Sequence, residues 1–262
     1  MHTLKEILEK LSKNELSITE AEKLVKLLAI SEVGNMARID TNRECRKGIP
    51  EIVLAEGKTT DELVDISLRM LSENGRVIVS RCDKKQIYAF RKSAPKDCVL
   101  QVYGKARMVV MKNKNFAIKS TGGRIGLITA GTSDIPVAEE AKVISEEMGC
   151  TVISAYDVGV AGIHRLMQPL KKMIVKDVDV IIVVAGREGA LSSVVAGMVD
   201  LPVIAVPTSN SYGFGKKGLS ALMAMLQSCS LGLAVVNIDG GIAAGAVATL
   251  IANRASRFRT NI

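Results

Sequence analysis

Apolar residues in the second half of the chain fall in short blocks rich in Ile and Val, at 125–130, 151–155, 179–185, 202–206 and 233–237. Between and after them run stretches with helical periodicity, at about 134–148, 162–175, 189–198, 216–227 and 240–256. A strand that is apolar at nearly every position is covered on both faces. Its alternation with helices therefore predicts an α/β fold built on a doubly wound parallel sheet. In such sheets ligands settle beyond the carboxyl ends of the strands. The candidate site is then the set of strand ends 130–134, 156–162, 185–190, 207–215 and 237–241.

The first half follows a different pattern. Thr3-x-x-Glu6 and Ser17-x-x-Glu20 each precede an amphipathic run, so two short capped helices are expected within residues 1–30. Residues 31–58 show no clear period and are dense in charge. A long irregular segment of this kind inside a compact chain is either functional or mobile. Thr59-x-x-Glu62 caps a helix over about 60–73; strands are expected at 77–80, 98–103 and 107–111, and a short helix at 84–92. These elements describe a smaller α+β domain over 31–120. Residues 112–123 form a linker, and the α/β domain occupies 121–262.

Charge sharpens the division. Residues 1–124 carry 24 Lys and Arg against 16 Asp and Glu, whereas residues 125–262 carry 11 of each, so the whole excess of +8 lies in the first part. A basic domain can serve nucleic acid or small anionic substrates. With four Phe, four Tyr and no Trp, the chain has few stacking platforms, and no nucleic-acid-binding signature is present. The five cysteines include no CxxC, which argues against a disulfide framework or a zinc site. Charged or polar residues interrupt the longest apolar tracts, and the N-terminus has no leader pattern. A reduced, cytoplasmic protein without a membrane span is expected.

The turn after the first strand of the α/β half, Ala130-Gly-Thr-Ser-Asp134, carries most of the chemistry. Gly131 allows a sharp turn and a close ligand, while Thr132, Ser133 and Asp134 bring short oxygen side chains to a helix start, a place suited to phosphate. Asp134 reads equally well as a simple N-cap. Gly159, Gly186 and Ser209 stand at the other strand ends. No GxGxxG or GxxxxGK[ST] pattern occurs, so an ordinary dinucleotide fold or ATPase is not indicated. Asp157 and Glu188 are the rim acids that could move protons, or that could simply pair with Arg165 or Arg187. His164 reads as structural. Cys229 sits between the fourth helix and the last strand. A helix carboxyl end does not activate a thiol, so a nucleophilic Cys229 needs a cation beside it.

Several blocks in order resemble the LarB family: Ala37-Arg-Ile-Asp-Thr-Asn-Arg-Glu-Cys-Arg46, Gly48-Ile-Pro-Glu51, Glu56-Gly-Lys58, Ala130–Asp134, Tyr156–Gly162, Glu188–Ala190, and Ser228-Cys229 followed by Val235–Asp239. The resemblance runs from about residue 31 to the end. The second half is also similar to PurE-type aminoimidazole ribonucleotide carboxylases and mutases. It departs from them at Ser154-Ala-Tyr-Asp-Val-Gly159, where that family has Ser-Ala-His-Arg-Thr-Pro. The resemblance implies a PurE/flavodoxin-like carboxyl-terminal domain and a carboxylase/hydrolase acting on nicotinic acid adenine dinucleotide, early in nickel-pincer nucleotide synthesis. It implies covalent addition of Cys229 to the pyridinium ring, proton transfer by Asp157 or Glu188, and phosphate or ribose held by Ser133 and Asp134. Arg38, Arg43, Arg46 and Lys58 would meet the substrate's anionic groups, unless they only pair with Asp40, Glu44, Glu51 and Glu56. CO2 would be a co-substrate, with no tightly bound cofactor and with Mg2+ as an option for the hydrolysis. A homo-oligomer with an octameric core is implied. The alternatives are an aminoimidazole ribonucleotide enzyme and a non-catalytic nucleotide-binding module.

Overall fold

The computed structural model describes residues 4–25, 31–33, 37–39, 43–211 and 213–259. The chain divides into two compact units, Met1–Val102 with Met108–Phe116, and Tyr103–Arg107 with Ala117–Ile262.

The first unit opens with helices α1 (Leu4–Ser12) and α2 (Ile18–Val25). Ser17 caps α2, its hydroxyl accepting from the Glu20 N–H while the Glu20 carboxylate accepts from the Ser17 N–H. The matching expectation at Thr3 lies outside the described residues. Within 31–58, where the sequence shows no period, the fold places β1 (Ser31–Val33), β2 (Ala37–Ile39), α3 (Arg43–Lys47) and β3 (Ile52–Leu54). Each is five residues or fewer, too short to register as a repeat. Strands β1 and β2 pair antiparallel.

Next come α4 (Thr60–Asn74), β4 (Arg76–Ser80), α5 (Lys84–Ser93), β5 (Cys98–Tyr103) and β6 (Met108–Asn113). The Thr59 capping box forms as the spacing predicts, and Gly75 ends α4 in the left-handed region at φ 70°. Asp83 and Gln86 form a second such box at α5. A mixed sheet of order β3-β4-β6-β5 packs its apolar face, with Val77, Val79, Val109 and Met111, against Leu63, Met70 and Phe90 of the helices. Strand β6 reaches Asn113, so the stretch read as a linker from 112 begins inside a strand.

The second unit alternates β7 (Arg124–Thr129), α6 (Ile135–Glu147), β8 (Thr151–Ala155), α7 (His164–Val175), β9 (Val180–Ala185), α8 (Ala190–Ala196), β10 (Val203–Pro207), α9 (Leu219–Leu226), β11 (Leu233–Val235) and α10 (Gly241–Arg259). All strand pairs are parallel, in the order β11-β10-β9-β7-β8. The last strand is shorter than its apolar run, ending at Val235.

Central strand β9 is buried at every position, as its unbroken apolar run requires. One face meets Leu166, Leu170, Leu191 and Val195; the other meets Val137, Ala141, Ala244 and Ala248. Helix α10 lies close on α6 because Gly241 and Gly245 carry no side chain: a Cβ on Gly245 would stand 2.6 Å from the Ala141 carbonyl. The chain leaves β7 for β8 on one side and reaches β9 on the other. The crevice of this topology therefore opens over β7 and β9. No described helix is long and apolar enough to cross a membrane.

Candidate active site

The rim turn forms directly from the strand sequence. Strand β7 ends at buried Thr129, and Gly131 leads a single 3-10 turn over Thr132–Asp134 into α6. Asp134 does not cap α6 with its side chain. Its carboxylate turns inward, 3% exposed. One oxygen accepts from the Gly131 N–H at 2.9 Å and the other from the Thr208 hydroxyl at 2.7 Å, and the Gly186 N–H also donates to the group. One side chain thus joins the ends of β7, β9 and β10. Burial pushes its pKa up, against the three hydrogen bonds, and nearby Asp239 adds to the rise. Gly186 must lack a side chain, since a Cβ there would lie 2.7 Å from Thr208 Oγ1 and 3.3 Å from Asp134 Oδ1.

The neighbouring loops close onto this turn. After β8, Asp157 takes a left-handed backbone at φ 57° and donates its N–H to Thr129 Oγ1 at 3.0 Å. Its carboxylate accepts from Arg165 at 2.8 Å. Gly159 passes so near that a Cβ would meet the Ala130 carbonyl at 2.7 Å. After β10, Asn210 donates to the Ser133 carbonyl at 2.7 Å, and Ser209 donates its N–H to Asp239 at 2.9 Å. Tyr156 donates its hydroxyl to Glu139 on α6; burial first, then that bond, push its pKa up to about 12.

Together the loops enclose a cavity of about 410 Å3, within the ordinary range for a small-molecule site. Gly131, Ser133 and Asp134 line one side, Gly159 and Arg165 a second, and Gly186, Arg187 and Glu188 a third. Of the residues singled out by sequence, the fold gathers these. Thr132, Asp157 and Ser209 stand at the same rim without lining the cavity.

Cys229 does not line it either. It is exposed, follows the end of α9 and precedes β11. Its neighbour Ser230 donates to the Ser193 carbonyl of α8 at 2.7 Å, and the Gly232 carbonyl accepts from Val203 at the amino end of β10. The cysteine therefore lies toward the amino-end side of the sheet, away from the rim.

The basic candidates belong to the first unit. Arg43 pairs with Glu51 at 2.7 Å, while Glu44 and Glu56 take Arg76 and Arg81 instead. Lys58 is half-buried, and its carbonyl accepts from Gln86. Arg38 lies on β2 and Arg46 on α3, described in their backbone alone. Asp40 lies outside the described residues. Thr208 and Asn210 carry structural bonds of the rim that sequence reasoning did not single out. The hint was their position next to a strand end, but their partners are 74 and 77 residues away. Among the described residues no group of three or more His, Cys, Asp or Glu is arranged to hold a metal ion.

Comparison with known proteins accounts for both units. Residues 30–114 match the family model described as LarB/PurE-like N-terminal domain, and residues 124–261 match AIR carboxylase. An uncharacterized protein of Methanocaldococcus jannaschii is 47% identical over 251 residues, 95% of this chain and 96% of that one. The chain belongs to the LarB family. Its carboxyl-terminal half is a PurE-like carboxylase domain. That half is similar to the N5-carboxyaminoimidazole ribonucleotide mutase of Pyrococcus horikoshii, 34% identical over 128 residues, covering 47% of this chain and 68% of the mutase. The Thermotoga maritima mutase is 32% identical over 133 residues, covering 49% and 74%. The LarB family assignment agrees with the blocks read from the sequence, and the parallel sheet agrees with the expected α/β fold.

Proposed function

We propose that this chain carboxylates C5 of the pyridinium ring of nicotinic acid adenine dinucleotide and hydrolyses its phosphoanhydride. The products would be AMP and pyridinium-3,5-biscarboxylic acid mononucleotide, at the start of nickel-pincer nucleotide synthesis. The observation that carries this reading is the union, in one chain, of a LarB amino-terminal domain with a carboxylase-family domain holding a nucleotide-sized rim cavity. Tyr156 and Asp157, standing where the purine enzymes have His and Arg, weigh against aminoimidazole ribonucleotide as substrate.

A pyridinium carbon is electron-poor and does not attack CO2. Addition of the Cys229 thiolate at C4 sends an electron pair to the ring nitrogen and leaves C5 enamine-like. C5 then attacks CO2, a base takes the C5 proton, and the sulfur leaves with its bonding pair as aromaticity returns. Glu188 is the stronger base candidate because it lines the cavity, whereas Asp157 does not and is engaged by Arg165. Gly131 and Ser133 would lie along the phosphate and ribose, and Arg165 and Arg187 supply positive charge at the walls. Arg38, Arg43, Arg46 and Lys58 would contact the substrate's anionic groups. The working form is a homo-oligomer, with an octamer as the PurE-like core implies. Mg2+ would be an option for the hydrolysis, held chiefly by the substrate's own phosphates.

Purified protein incubated with the dinucleotide and 13C-labelled bicarbonate should give a labelled carboxylated mononucleotide and AMP by mass spectrometry. Cys229→Ser should lose carboxylation by at least about 1,000-fold, as expected for removal of a covalent nucleophile. Turnover of aminoimidazole ribonucleotide in place of the dinucleotide would refute the assignment.

A further inference from the structure

We propose that Phe214 binds the adenine of the substrate. The loop after β10 lays this ring over the mouth of the cavity, so that the pyridinium nucleotide sits inside and the adenosine half is held outside, stacked on Phe214. This rests on the reading above, in which the substrate is nicotinic acid adenine dinucleotide.

The size and lining of the cavity leave the adenosine half without a place inside. At about 410 Å3 the cavity stands near the lower end of the range for drug-sized ligands, ~300–1,000 Å3. One nucleotide fills such a space, and a dinucleotide must carry its second nucleotide past the walls. The ring that reacts belongs within, beside Glu188, which leaves adenine for the mouth. No aromatic side chain stands among the described lining residues, so the walls offer no stacking surface. Phe214 is the most exposed large apolar side chain among the described residues, at 95%. A single exposed apolar side chain is ordinary on a protein surface; what distinguishes this one is its tie to the cavity wall.

The loop has a closed base and an open tip. Asn210, which lines the cavity, leads into it. Ser211 Oγ donates to the Gly215 carbonyl at 3.1 Å and accepts from the Gly218 N–H at 2.8 Å. A Cβ on Gly218 would stand 2.7 Å from the Thr208 carbonyl, and one on Gly215 2.4 Å from the Ser211 Cβ, so the base closes only with glycine at both positions. At the tip, by contrast, nothing lies within 4 Å of a Cβ on Gly213, whose φ is 67°. Ser220 Oγ donates to the Arg187 carbonyl at 2.9 Å and reaches the Gly215 carbonyl at 3.5 Å. Phe214 is therefore one residue from a carbonyl that shares a hydroxyl with Arg187 of the cavity wall. Gly213 leaves its backbone room to turn the ring inward. Lys217, exposed in the same turn, would meet the pyrophosphate that joins the two halves. Adenine has a π-face that stacks on Phe whatever its edge groups meet.

The chain contains no Trp, so Phe214→Trp places a single indole at the tip of the loop. Its fluorescence should be quenched by the dinucleotide and left unchanged by nicotinic acid mononucleotide, which carries the pyridinium ring and no adenine. In calorimetry Phe214→Ala should bind the dinucleotide about 10-fold more weakly, the loss expected for one base–aromatic stack. It should bind the mononucleotide as wild type does. KM for the dinucleotide should rise by a similar factor with kcat nearly constant, and Phe214→Trp should restore wild-type affinity. Thermal unfolding and sedimentation of both variants should match wild type, because the side chain stands in solvent. Quenching by the mononucleotide, equal weakening of both ligands, or a Phe214→Ala chain with altered assembly overturns the proposal. If wild type makes no carboxylated product, the reading of the reaction fails instead, and the quenching comparison, which needs binding alone, still decides for or against Phe214.

Discussion

Asp134 accepts hydrogen bonds from groups on three strand ends while almost fully buried, and that arrangement has a pH signature. An acid whose folded-state pKa lies above its unfolded value holds more protons when folded, at every pH between the two. Stability therefore falls as pH rises through that window. The loss is complete above the folded pKa and absent below the ordinary value of 3.8. Urea unfolding across pH should show the advantage of Asp134→Asn over wild type growing from about pH 3.8 upward. It is superposed on a constant cost of about 1–3 kcal/mol for the N–H left without its acceptor. A difference between the two proteins that does not vary with pH would show that the carboxylate carries no burial penalty. From sequence, Asp134 was visible as a rim residue, and the choice between N-cap and ligand contact stood open. The structure gives a third use, tying loops together, because its partner Thr208 lies far along the chain.

At the scale of elements, the strands and helices of the second unit were legible because strands buried on both faces leave unbroken apolar runs. The short β1, β2, α3 and β3 left no period to read, and charge density masked them. The loops were legible in composition and not in contact: Gly159 read as one small residue among several. In the fold it sets how closely the β8 loop approaches the β7 turn, and a Cβ would press on the Ala130 carbonyl, which is backbone and has little room to move. Gly159→Ala is therefore expected to cost about 1–3 kcal/mol through overpacking. It should weaken dinucleotide binding more than it lowers the melting temperature, in parallel calorimetry and thermal unfolding. Gly57→Ala is the control, since nothing lies within 4 Å of a Cβ there and its strain is confined to φ. Equal losses in binding and stability at both positions would mean that Gly159 does not shape the cavity.

For the whole molecule, charge and architecture divide along the same line: the excess of +8 belongs to residues 1–124, and the neutral remainder carries the parallel sheet. If the chain acts on the dinucleotide as proposed, its net positive charge should raise the local concentration of that anion, and salt should weaken the effect as the screening length shrinks to ~8 Å at 0.15 M. Raising NaCl from 0.05 to 0.5 M, a range on the order of that length's main change, should therefore lower kcat/KM for the dinucleotide and leave kcat nearly constant. The proposed function gives Arg38, Arg43, Arg46 and Lys58 a share in this field. Replacing Arg43 and Lys58 by Gln should flatten the salt dependence as well as raise KM. Arg43 is half held by Glu51, so its share should be the smaller when the two are changed singly. An unchanged salt slope in the double variant would put the steering elsewhere in the basic unit, and these side chains would then be ordinary surface pairs of the kind worth about 0–1 kcal/mol.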